Sequence, residues 1–508
     1  MSASLTVDRD VIVVGGGPAG LAAAWHASRR GFRVTVLERS SSLGGMAASV
    51  LVDEVRADLG SHRLHPATPG DVMADLQELL GGSLQVRNRN GRVRVAGRWV
   101  GFPLSPANLL RTMPLSWAAR VSADALLARR RRSPNPDSYA AALRASLGPT
   151  VYDSLYGPYA RKLWGVPGEQ IDPEQARVRV AADTAARVAA RMIRRGISSR
   201  RQGSPQRGTH FLYPAGGFGE IPRALAEAAR SLEATVHTGA AVTRIDTGPD
   251  STTTRVDPAP GSPASTTSPG TGRPLVQVHT ADGRTWQAPT VCSTLPLSVL
   301  AGVINPAPPQ PVCQQAQSLV TRGMVLVYLT HRPPGRPAGS RVRWTGYDAH
   351  YLPGADTPVS RISEPTNYRD CDDDPADRSV VCAEIPCTPG DDLWTATEQQ
   401  LCDIVLEAMR RNDLPPPAVS GVRVIRLPSV YPVYARGFGA SLAAVDAWVE
   451  GLPGVTTLGR AGLFAHDNTH HALVMGQAFA RCLRPDATID AAAWQAERDS
   501  FRGHVVED

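Results

Sequence analysis

The chain contains 508 residues, which is long for a single hydrophobic core and indicates two domains. Hydrophobic residues make up 42% and charged residues 20%, a composition that is typical of globular proteins and excludes a disordered chain. The formal net charge is +7, and residues 111–210 hold 18 Lys or Arg against 7 Asp or Glu. This surplus of positive charge indicates an anionic partner, with a solvated arginine-rich helical surface as the alternative.

The cysteines and the N-terminus indicate a reducing compartment. The seven cysteines form no CxxC pair and no zinc-ligand spacing, so we expect free thiols and no metal site. The N-terminus has no signal-peptide pattern, and no run of about 18 apolar residues occurs, so we expect a cytoplasmic protein. No basic motif interleaved with aromatic residues occurs, and nucleic acid is therefore not an expected partner.

The first elements form a βαβ unit. Residues 10–15 (DVIVVG) predict a strand, a helix follows the glycine turn and ends at Gly31, and residues 33–38 (RVTVLE) predict a second strand. From about residue 70 to residue 210 the pattern predicts helices, among them a long one from residue 176 to residue 196.

The second half of the chain alternates between strands and helices. Beta character returns near Phe211, and the sequence GEIPRALAEAARSL predicts a helix. The later strands are predicted over 323–331, 341–348, 359–365, 379–386, 422–427 and 455–460. The later helices are predicted over 391–413, 437–452 and 470–483, the last of these being the final helix.

Residues 247–274 differ in composition from the rest of the chain. They are rich in Ser, Thr, Pro and Gly and contain almost no apolar side chains. Such a segment cannot bury enough surface to become ordered, so we predict a disordered insertion between two strands.

A glycine motif directly after the first strand predicts a dinucleotide site. Gly15-x-Gly17-x-x-Gly20 opens the first helix, where the glycines allow a tight turn, close approach of a pyrophosphate and close packing of helix on strand. Glu38 ends the second strand and is suited to accept hydrogen bonds from a ribose. An acidic residue here argues against NADP, because it would repel a 2′-phosphate.

The residues after Glu38 resemble the flavin amine-oxidase superfamily. Gly44-Gly45 follows the second strand, and GVTTLGRAGLFAHDNTHHALVMG (454–476) is similar to the C-terminal segment of that family. The resemblance implies bound FAD. The FAD-binding residues that it implies are Gly15, Gly17, Pro18, Ala19, Gly20, Glu38, Arg39, Gly44, Gly45, Met46, Gly60, Ser61, His62, Val242, Gly459, Arg460, His471, Ala472 and Leu473.

Several segments resemble particular branches of this superfamily. Asp58–His65 (DLGSHRLH) is similar to a loop of the UDP-galactopyranose mutases and of protoporphyrinogen-oxidase-like proteins, which implies that His62 lies near the flavin. The alternative is a structural role for His62 and His65 in a turn. Phe211–Gly219 (FLYPAGGFG) is similar to a turn of these proteins, as are SEPTNY (363–368), EIPC (384–387) and VYPVY (430–434).

Tyr159–Gly165 (YARKLWG) resembles a substrate segment of the mutases and contains the only lysine of the chain, Lys162. The resemblance implies Tyr159 and Trp164 on the substrate side and Lys162 as a catalytic residue, with a core position as the alternative for Trp164. Arg177 and Arg179 follow in the basic region and suit an anionic group such as a diphosphate, with surface charge as the alternative. His62 and Arg460 complete the catalytic candidates.

These patterns predict an α/β fold with a Rossmann-type FAD-binding domain and an α+β substrate domain. The FAD-binding domain comprises 8–66, 211–305 and 420–485, and the substrate domain comprises 67–210 and 306–419. The sequence does not identify the substrate. The segment AHDNTHH (465–471) departs from the aromatic-rich pattern of bacterial mutases, and residues 317–345 have no match to the substrate arginines of those enzymes.

Three functions remain open. The first is an oxidoreductase in which FAD N5 takes a hydride from a small or medium substrate, for which an anionic, phosphorylated or sugar-like character is open. The second is a non-redox nucleotide-sugar mutase that uses reduced FAD. The third is a peripheral contact with an anionic membrane through the segment that ends in Arg129–Arg132. The residues that would lie on that bilayer include Leu109, Leu110, Met113, Trp117, Leu126 and Leu127.

Overall fold

A computed structural model describes residues 6–104, 106–131, 136–179, 210–248, 275–335 and 341–506. Most of the predicted insertion at 247–274 and of the predicted helix at 176–196 lies outside these ranges. The chain divides into two compact units. Unit 1 comprises Met1–Gly45, Pro222–Leu319 and Ala440–His504, and unit 2 comprises Met46–Ile221, Val320–Gly439 and Val505–Asp508. The domain boundaries expected from the sequence stay a prediction.

The elements are numbered here in chain order. The strands are β1 (Thr6–Asp8), β2 (Val11–Val14), β3 (Val34–Leu37), β4 (Ser49–Val52), β5 (Val55–Asp58), β6 (Leu84–Asn88), β7 (Gly91–Val95), β8 (Arg98–Phe102), β9 (His210–Pro214), β10 (Thr235–His237), β11 (Val242–Asp246), β12 (Val276–Thr280), β13 (Thr285–Ala288), β14 (Thr290–Ser293), β15 (Ile304–Asn305), β16 (Thr321–His331), β17 (Ala349–Tyr351), β18 (Arg361–Ser363), β19 (Ser379–Cys387), β20 (Val419–Pro432) and β21 (Val455–Thr457). The helices are α1 (Pro18–Arg29), α2 (Gly70–Leu80), α3 (Pro106–Thr112), α4 (Leu115–Arg131), α5 (Tyr139–Leu147), α6 (Pro149–Val151), α7 (Gly157–Trp164), α8 (Glu174–Arg179), α9 (Glu220–Ser231), α10 (Leu297–Val303), α11 (Gln310–Ser318), α12 (Asp392–Thr395), α13 (Glu398–Arg411), α14 (Phe438–Glu450), α15 (Gly459–Gly462), α16 (Thr469–Arg481) and α17 (Ala491–Phe501).

Unit 1 is built on a parallel sheet in the order β10-β3-β2-β14-β21. All four residues of β2 and of β3 are buried, as expected for apolar strands covered on both faces. The βαβ unit predicted from the sequence is present as β2, α1 and β3. A second sheet in this unit has the order β1-β13-β12-β11-β15.

Helices α1 and α16 pack closely in unit 1. At Gly476 an added Cβ would lie 2.6 Å from the Cβ of Ala22 and 2.7 Å from the carbonyl oxygen of Ala19. Glycine is therefore needed where the two backbones approach. This packing brings the C-terminal part of the chain against the helix of the glycine motif.

Unit 2 contains a long antiparallel region in a sheet of order β20-β16-β19-β18-β17-β7-β8. The strand β16 pairs antiparallel with both β19 and β20. Val325, Val327 and Leu329 alternate along β16 and enter one apolar core with residues of α13. Their spacing of two is the strand period, which places them on the same face of the sheet.

The structure corrects three expectations from the sequence. Residues 84–102 form β6, β7 and β8 within the region predicted as helical, because Gly91–Val95 alternates buried and half-buried positions with the period of a strand. Residues 341–348, predicted as a strand, form an irregular segment. The helix at 470–483 is not the final one, because α17 follows it.

The α/β class, with a Rossmann-type parallel sheet and a second α+β unit, is confirmed. The cysteines, which all lie in described ranges, are free thiols. No helix in the described ranges is both long and apolar enough to cross a membrane.

Candidate active site

The glycine motif forms a tight turn between β2 and α1. Gly15 has φ +111°, and an added Cβ there would lie 2.0 Å from Oγ1 of Thr294. At Gly20 the added Cβ would lie 2.2 Å from the carbonyl oxygen of Gly15. Gly17 is the N-cap of α1 without a side-chain cap, and a Cβ there would meet no described atom within 4 Å. The space beside Gly17, at the uncapped start of α1, is therefore open, as an anion site at a helix N-terminus requires.

Glu38 and its neighbours lie beside this turn. The buried carboxylate of Glu38 accepts hydrogen bonds from the amides of Gly16 (2.7 Å) and Ser40 (2.8 Å). A carboxylate has about four acceptor positions, so capacity for a ribose hydroxyl remains. The carbonyl of Glu38 accepts from the amide of Ala240 at 2.8 Å, two residues before Val242. The fold thus brings the predicted FAD-binding residue Val242 towards the end of β3.

The glycine pair after β3 returns to the same turn. The amide of Gly44 donates to the carbonyl of Gly16 at 2.8 Å, and an added Cβ at Gly45 would lie 3.3 Å from the Cα of Gly17. Arg39 is exposed. The predicted residue Met46 begins unit 2.

The C-terminal segment of unit 1 also reaches α1. Gly459 has φ +81°, and a Cβ there would lie 3.0 Å from the Cβ of Ala19. Arg460 is half-buried in the short helix α15. The last three predicted FAD-binding residues lie in the first turns of α16 and are His471, Ala472 and Leu473.

A buried carboxylate anchors the start of α16. Oδ1 of Asp467 lies 3.2 Å from Nδ1 of His471 and 3.0 Å from Nδ1 of His504. Burial opposes ionisation of Asp467, but hydrogen bonds with the two imidazoles lower the pKa of this carboxyl below its usual value. The two rings are stacked 4.2 Å apart at an interplanar angle of 12°, and their Nδ1 atoms both lie within hydrogen-bond distance of the same carboxylate oxygen. The cluster is therefore best described as a hydrogen-bonded support for His471.

The residues of unit 1 fit FAD. Uncapped amides at the N-terminus of α1 suit a pyrophosphate, and Glu38 suits a ribose. The glycines keep side chains out of the space that the cofactor needs. The predicted residues Gly15, Gly17, Glu38, Gly44 and Gly459 are thus brought around one turn, although 444 residues separate the first from the last.

His62 lies in a loop of unit 2. Its ring stacks on that of Phe218 with centroids 5.2 Å apart, and its Nδ1 lies 3.3 Å from the carbonyl oxygen of Gly60. When Nδ1 carries the hydrogen and donates to Gly60, Nε2 is the acceptor. Burial lowers the pKa of His62 below its usual value, and the nearby Arg361 lowers it further, against the opposing effect of Asp58. His62 is therefore neutral at pH 7.

Asp58, at the end of β5, supports this loop. Its carboxylate accepts hydrogen bonds from Oγ of Ser49 (2.6 Å), the amide of Phe218 (3.1 Å) and the hydroxyl of Tyr213. Burial raises the pKa of Asp58 above its usual value, although these donors and His62 oppose the change. Asp58 thus fixes Phe218, the ring on which His62 stacks.

A second polar group in unit 2 was not predicted from the sequence. Nε of Arg361 donates to Oε1 of Glu384 at 2.9 Å and Nη2 donates to Oε2 at 2.8 Å, a bidentate pair between β18 and β19. Oε1 of Glu384 also accepts from the amide of Ser61 at 2.9 Å. The same ion pair influences both His62 and Tyr159 electrostatically, so these two predicted residues lie near it. The EIPC segment (384–387) was the only sequence signal, because it contains Glu384.

Arg63 makes a further set of polar and aromatic contacts next to His62 in the sequence. Its Nη2 lies 3.1 Å from Oδ2 of Asp348, and its guanidinium lies 5.1 Å from the ring of Phe211 and 5.2 Å from that of Tyr368. The Tyr368 hydroxyl hydrogen-bonds with that of Ser61. These contacts hold the loop of Gly60, Ser61 and His62 in place.

The remaining predicted residues occupy different surroundings. Tyr159 is half-buried, and burial raises its pKa well above the usual value, so its hydroxyl remains protonated. Trp164 packs edge-on against Tyr139 at 5.4 Å in an apolar core, which agrees with the alternative for this residue. Arg177 is exposed and pairs with Glu174, and the Arg179 guanidinium lies 5.4 Å from the ring of Tyr431. Their predicted roles towards a substrate stay predictions.

Lys162 connects α7 with the segment before β18 through hydrogen bonds. Its Nζ donates to the carbonyls of Leu352 and of Val359, the latter at 2.9 Å. Burial lowers the pKa of Lys162 to about 7, with Asp356 opposing the change. Because both carbonyls belong to the segment that leads to Arg361, these contacts indicate a supporting role for Lys162.

We expect Lys162→Met to remove a pH dependence of stability. The pKa of Lys162 is about 7 in the native protein and about 10.4 in the unfolded chain. Between these two values the unfolded chain binds more protons than the native protein. The free energy of unfolding of the unmodified protein therefore rises with pH across this range. The variant should lack about 1–3 kcal/mol of this rise between pH 7 and about pH 9.5, measured by denaturant unfolding. Arg161→Met on the exposed side of α7 is the control, and an unchanged rise in Lys162→Met would contradict the assignment.

Comparisons of structure support the fold. A reduced UDP-galactopyranose mutase has a TM-score of 0.72 and 19% identity, with coverage of 93% of each chain. A putative protoporphyrinogen oxidase from Exiguobacterium sp. 255-15 has a TM-score of 0.66 and 16% identity, with coverage of 94% of this chain and 99% of the other. A putrescine oxidase solved with putrescine has a TM-score of 0.59 and 16% identity over 94% and 99% of the two chains. At such identities the likeness concerns the fold.

Comparisons of sequence show the family. A coproporphyrinogen III oxidase of Propionibacterium freudenreichii is 31% identical over 168 residues, which are 30% of this chain and 32% of that protein. An uncharacterized protein of Mycobacterium tuberculosis is 30% identical over 280 residues, which are 48% and 50% of the two chains. The chain thus spans about a third to a half of the length of these curated relatives. The model of flavin containing amine oxidoreductases matches residues 18–425, and the chain therefore belongs to this family of FAD enzymes.

Proposed function

We propose that this protein is an FAD-dependent oxidoreductase that oxidises a small or medium substrate with an oxygen-rich or anionic group. The observation that carries the proposal is the polar cluster of unit 2, defined by His62, Tyr159, Tyr351, Arg361 and Glu384. The four residues other than Glu384 are half-buried, so they present polar atoms while excluding much of the water. The family supports the redox chemistry, and the cluster supports the polarity of the substrate.

FAD, when bound, supplies hydride acceptance at N5 and passes the electrons to oxygen or another acceptor. The residues of the chain bind the two partners of this reaction. The N-terminus of α1 and Glu38 would hold the pyrophosphate and ribose of the cofactor. Gly459 keeps the C-terminal segment close to α1, and Asp467 fixes His471 at the start of α16.

Arg361 is the residue that we assign to the substrate group. Its hydrogen bonds with Glu384 and with the carbonyl of Ser61 use Nε and Nη2, so among the described residues the Nη1 edge is left for a ligand. Glu384 balances the charge of Arg361 and fixes its plane. The guanidinium carbon lies 5.6 Å from the ring of Tyr351, which adds a phenol near the same position.

His62 is the residue that we assign to proton transfer. A neutral imidazole with Nδ1–H donated to Gly60 presents Nε2 as a base. It would accept the proton that leaves the substrate nitrogen or hydroxyl when the adjacent carbon loses a hydride. Lys162 is not suited to this task, because its Nζ donates to two backbone carbonyls.

The proposal is tested with the purified FAD-bound protein. The flavin is reduced anaerobically by candidate amines, alcohols and sugar derivatives, and reoxidation by oxygen or an added acceptor is followed by absorbance. Substrate-dependent bleaching of the oxidised bands is the expected result. A second candidate is the non-redox isomerase, favoured by the resemblance of residues 58–65 and 159–165 to mutase segments. Conversion of a nucleotide sugar only by chemically reduced enzyme, without such bleaching, would replace the proposal by this candidate.

We expect Arg361→Lys to weaken substrate binding more than turnover. Lysine keeps the charge but loses the planar fork that pairs with Glu384, so a substrate found in the test above should show KM raised about tenfold with kcat changed less. Arg177→Lys is the matched control at the exposed pair with Glu174 and should leave KM within about twofold. If KM rises in Arg177→Lys and not in Arg361→Lys, the substrate group would bind at the surface of α8 instead.

A further inference from the structure

We infer that the exposed face of α4 binds an anionic membrane surface. This face is defined by Leu115, Ala119, Ser122 and Leu126, which recur at steps of three or four residues and so lie on one side of the helix. Leu115 is 87% exposed and Leu126 is 83% exposed. One exposed leucine is ordinary on a protein surface, but two on the same face give this side of the helix a repeated apolar contact.

The opposite side of α4 holds the helix on the protein. Asp124 is buried and accepts from the amide of Thr150 at 2.9 Å, and Trp117 packs against a core that includes the buried Met113. Leu109, Met113 and Trp117, three of the residues that the sequence predicted on the bilayer, therefore belong to the protein side. The outward leucines at 115 and 126 are about 16.5 Å apart along the helix axis at 1.5 Å per residue, so the helix would lie flat on the surface.

The charge of this region fits an anionic partner. Residues 106–131, which form α3 and α4, contain five arginines and one acidic residue, the buried Asp124. Arg111 and Arg120 are exposed, and the sequence of α4 ends in Arg129–Arg131. Exposed leucines beside arginines are the combination that holds interfacial helices on anionic lipids, where the apolar side chains insert and the arginines meet the headgroups.

The same charge argues against a second copy of the chain. Residues 106–131 carry five arginines and no exposed carboxylate, so a symmetric contact between two copies of these helices would be opposed by their positive charge. A membrane of anionic lipid neutralises the arginines and accepts the leucines at the same time. Nucleic acid would meet the charge but leave both leucines in water.

The test is sedimentation of the full-length FAD-bound protein with vesicles. We expect pelleting with vesicles of phosphatidylglycerol and phosphatidylcholine in equal parts, little pelleting with pure phosphatidylcholine, and loss of binding at about 1 M NaCl. Leu115→Ser with Leu126→Ser should lower the partition coefficient at least about tenfold. Val86→Ser is the control, because Val86 is 65% exposed on β6, outside the helices α3 and α4, and its replacement should leave binding unchanged.

Flavin absorbance and thermal unfolding of each variant show whether it is folded, and analytical ultracentrifugation reports its oligomeric state. Pelleting that is equal for the double serine variant and the unmodified protein would overturn the inference, as would no pelleting with anionic vesicles at low salt. A dimer of the unmodified protein that the double serine variant loses would assign the face to a second copy instead. None of these measurements depends on the redox activity proposed above.

Discussion

Gly17→Ala is expected to give a protein that folds normally but binds FAD weakly. Gly17 has φ −84° and ψ 178°, which alanine also adopts, and a Cβ there would meet no described atom within 4 Å. The methyl group would occupy the space in which a pyrophosphate approaches the first amides of α1. We expect the affinity for FAD to fall on the order of 100-fold, which corresponds to about 2.7 kcal/mol.

The measurement is FAD titration of the apoprotein by fluorescence quenching, with circular dichroism and thermal unfolding of the same sample as the folding readout. Gly302→Ala is the matched control, because its Cβ would also meet nothing within 4 Å and the residue lies in α10, away from the glycine motif. Gly20→Ala provides a contrast, since its Cβ would collide with the carbonyl of Gly15 and should disturb the turn itself. Normal FAD affinity in Gly17→Ala would place the cofactor elsewhere.

His62→Asn is expected to lower kcat by a factor on the order of 100 to 1,000 with a substrate found in the reduction test. Asparagine retains a donor for the carbonyl of Gly60 but cannot take up a proton at neutral pH. The unmodified enzyme should lose activity as the pH falls through the pKa of His62, which burial places below 6.5, because protonation removes the base. The His62→Asn variant should not show this loss of activity at low pH, which is the acidic limb of the pH profile.

Stopped-flow reduction of the flavin from about pH 5 to pH 9 measures both effects. His65→Asn is the control in the same loop, where Nδ1 of His65 accepts from the amide of Ala67 at 3.1 Å, and it should change kcat by less than about threefold. An acidic limb that persists in His62→Asn would assign the titration to another group. A fall in kcat without any change of the pH profile would give His62 a positioning role only.

The sequence was sufficient for the glycine motif and for Glu38. Gly15, Gly17 and Gly20 lie within one turn, where a Cβ at Gly20 would meet the carbonyl oxygen of Gly15 only five residues earlier, and Glu38 follows at a fixed distance along the βαβ unit. Geometry over so few residues depends on the sequence spacing, so the glycine motif was enough to predict the local structure. The C-terminal residues Gly459 and His471 were predicted only through resemblance, since no local pattern connects them with α1.

Tertiary structure decided the polar cluster of unit 2. Arg361 and Glu384 lie 23 residues apart on neighbouring strands, and Arg63 meets Asp348 across 285 residues, so neither pair forms a pattern in the chain. Lys162 stood out as the only lysine, yet its two carbonyl partners give it a supporting position. Strand pairing and burial determine which charged groups meet, and a side chain acquires its partner, its pKa and its role only after those long-range contacts have formed.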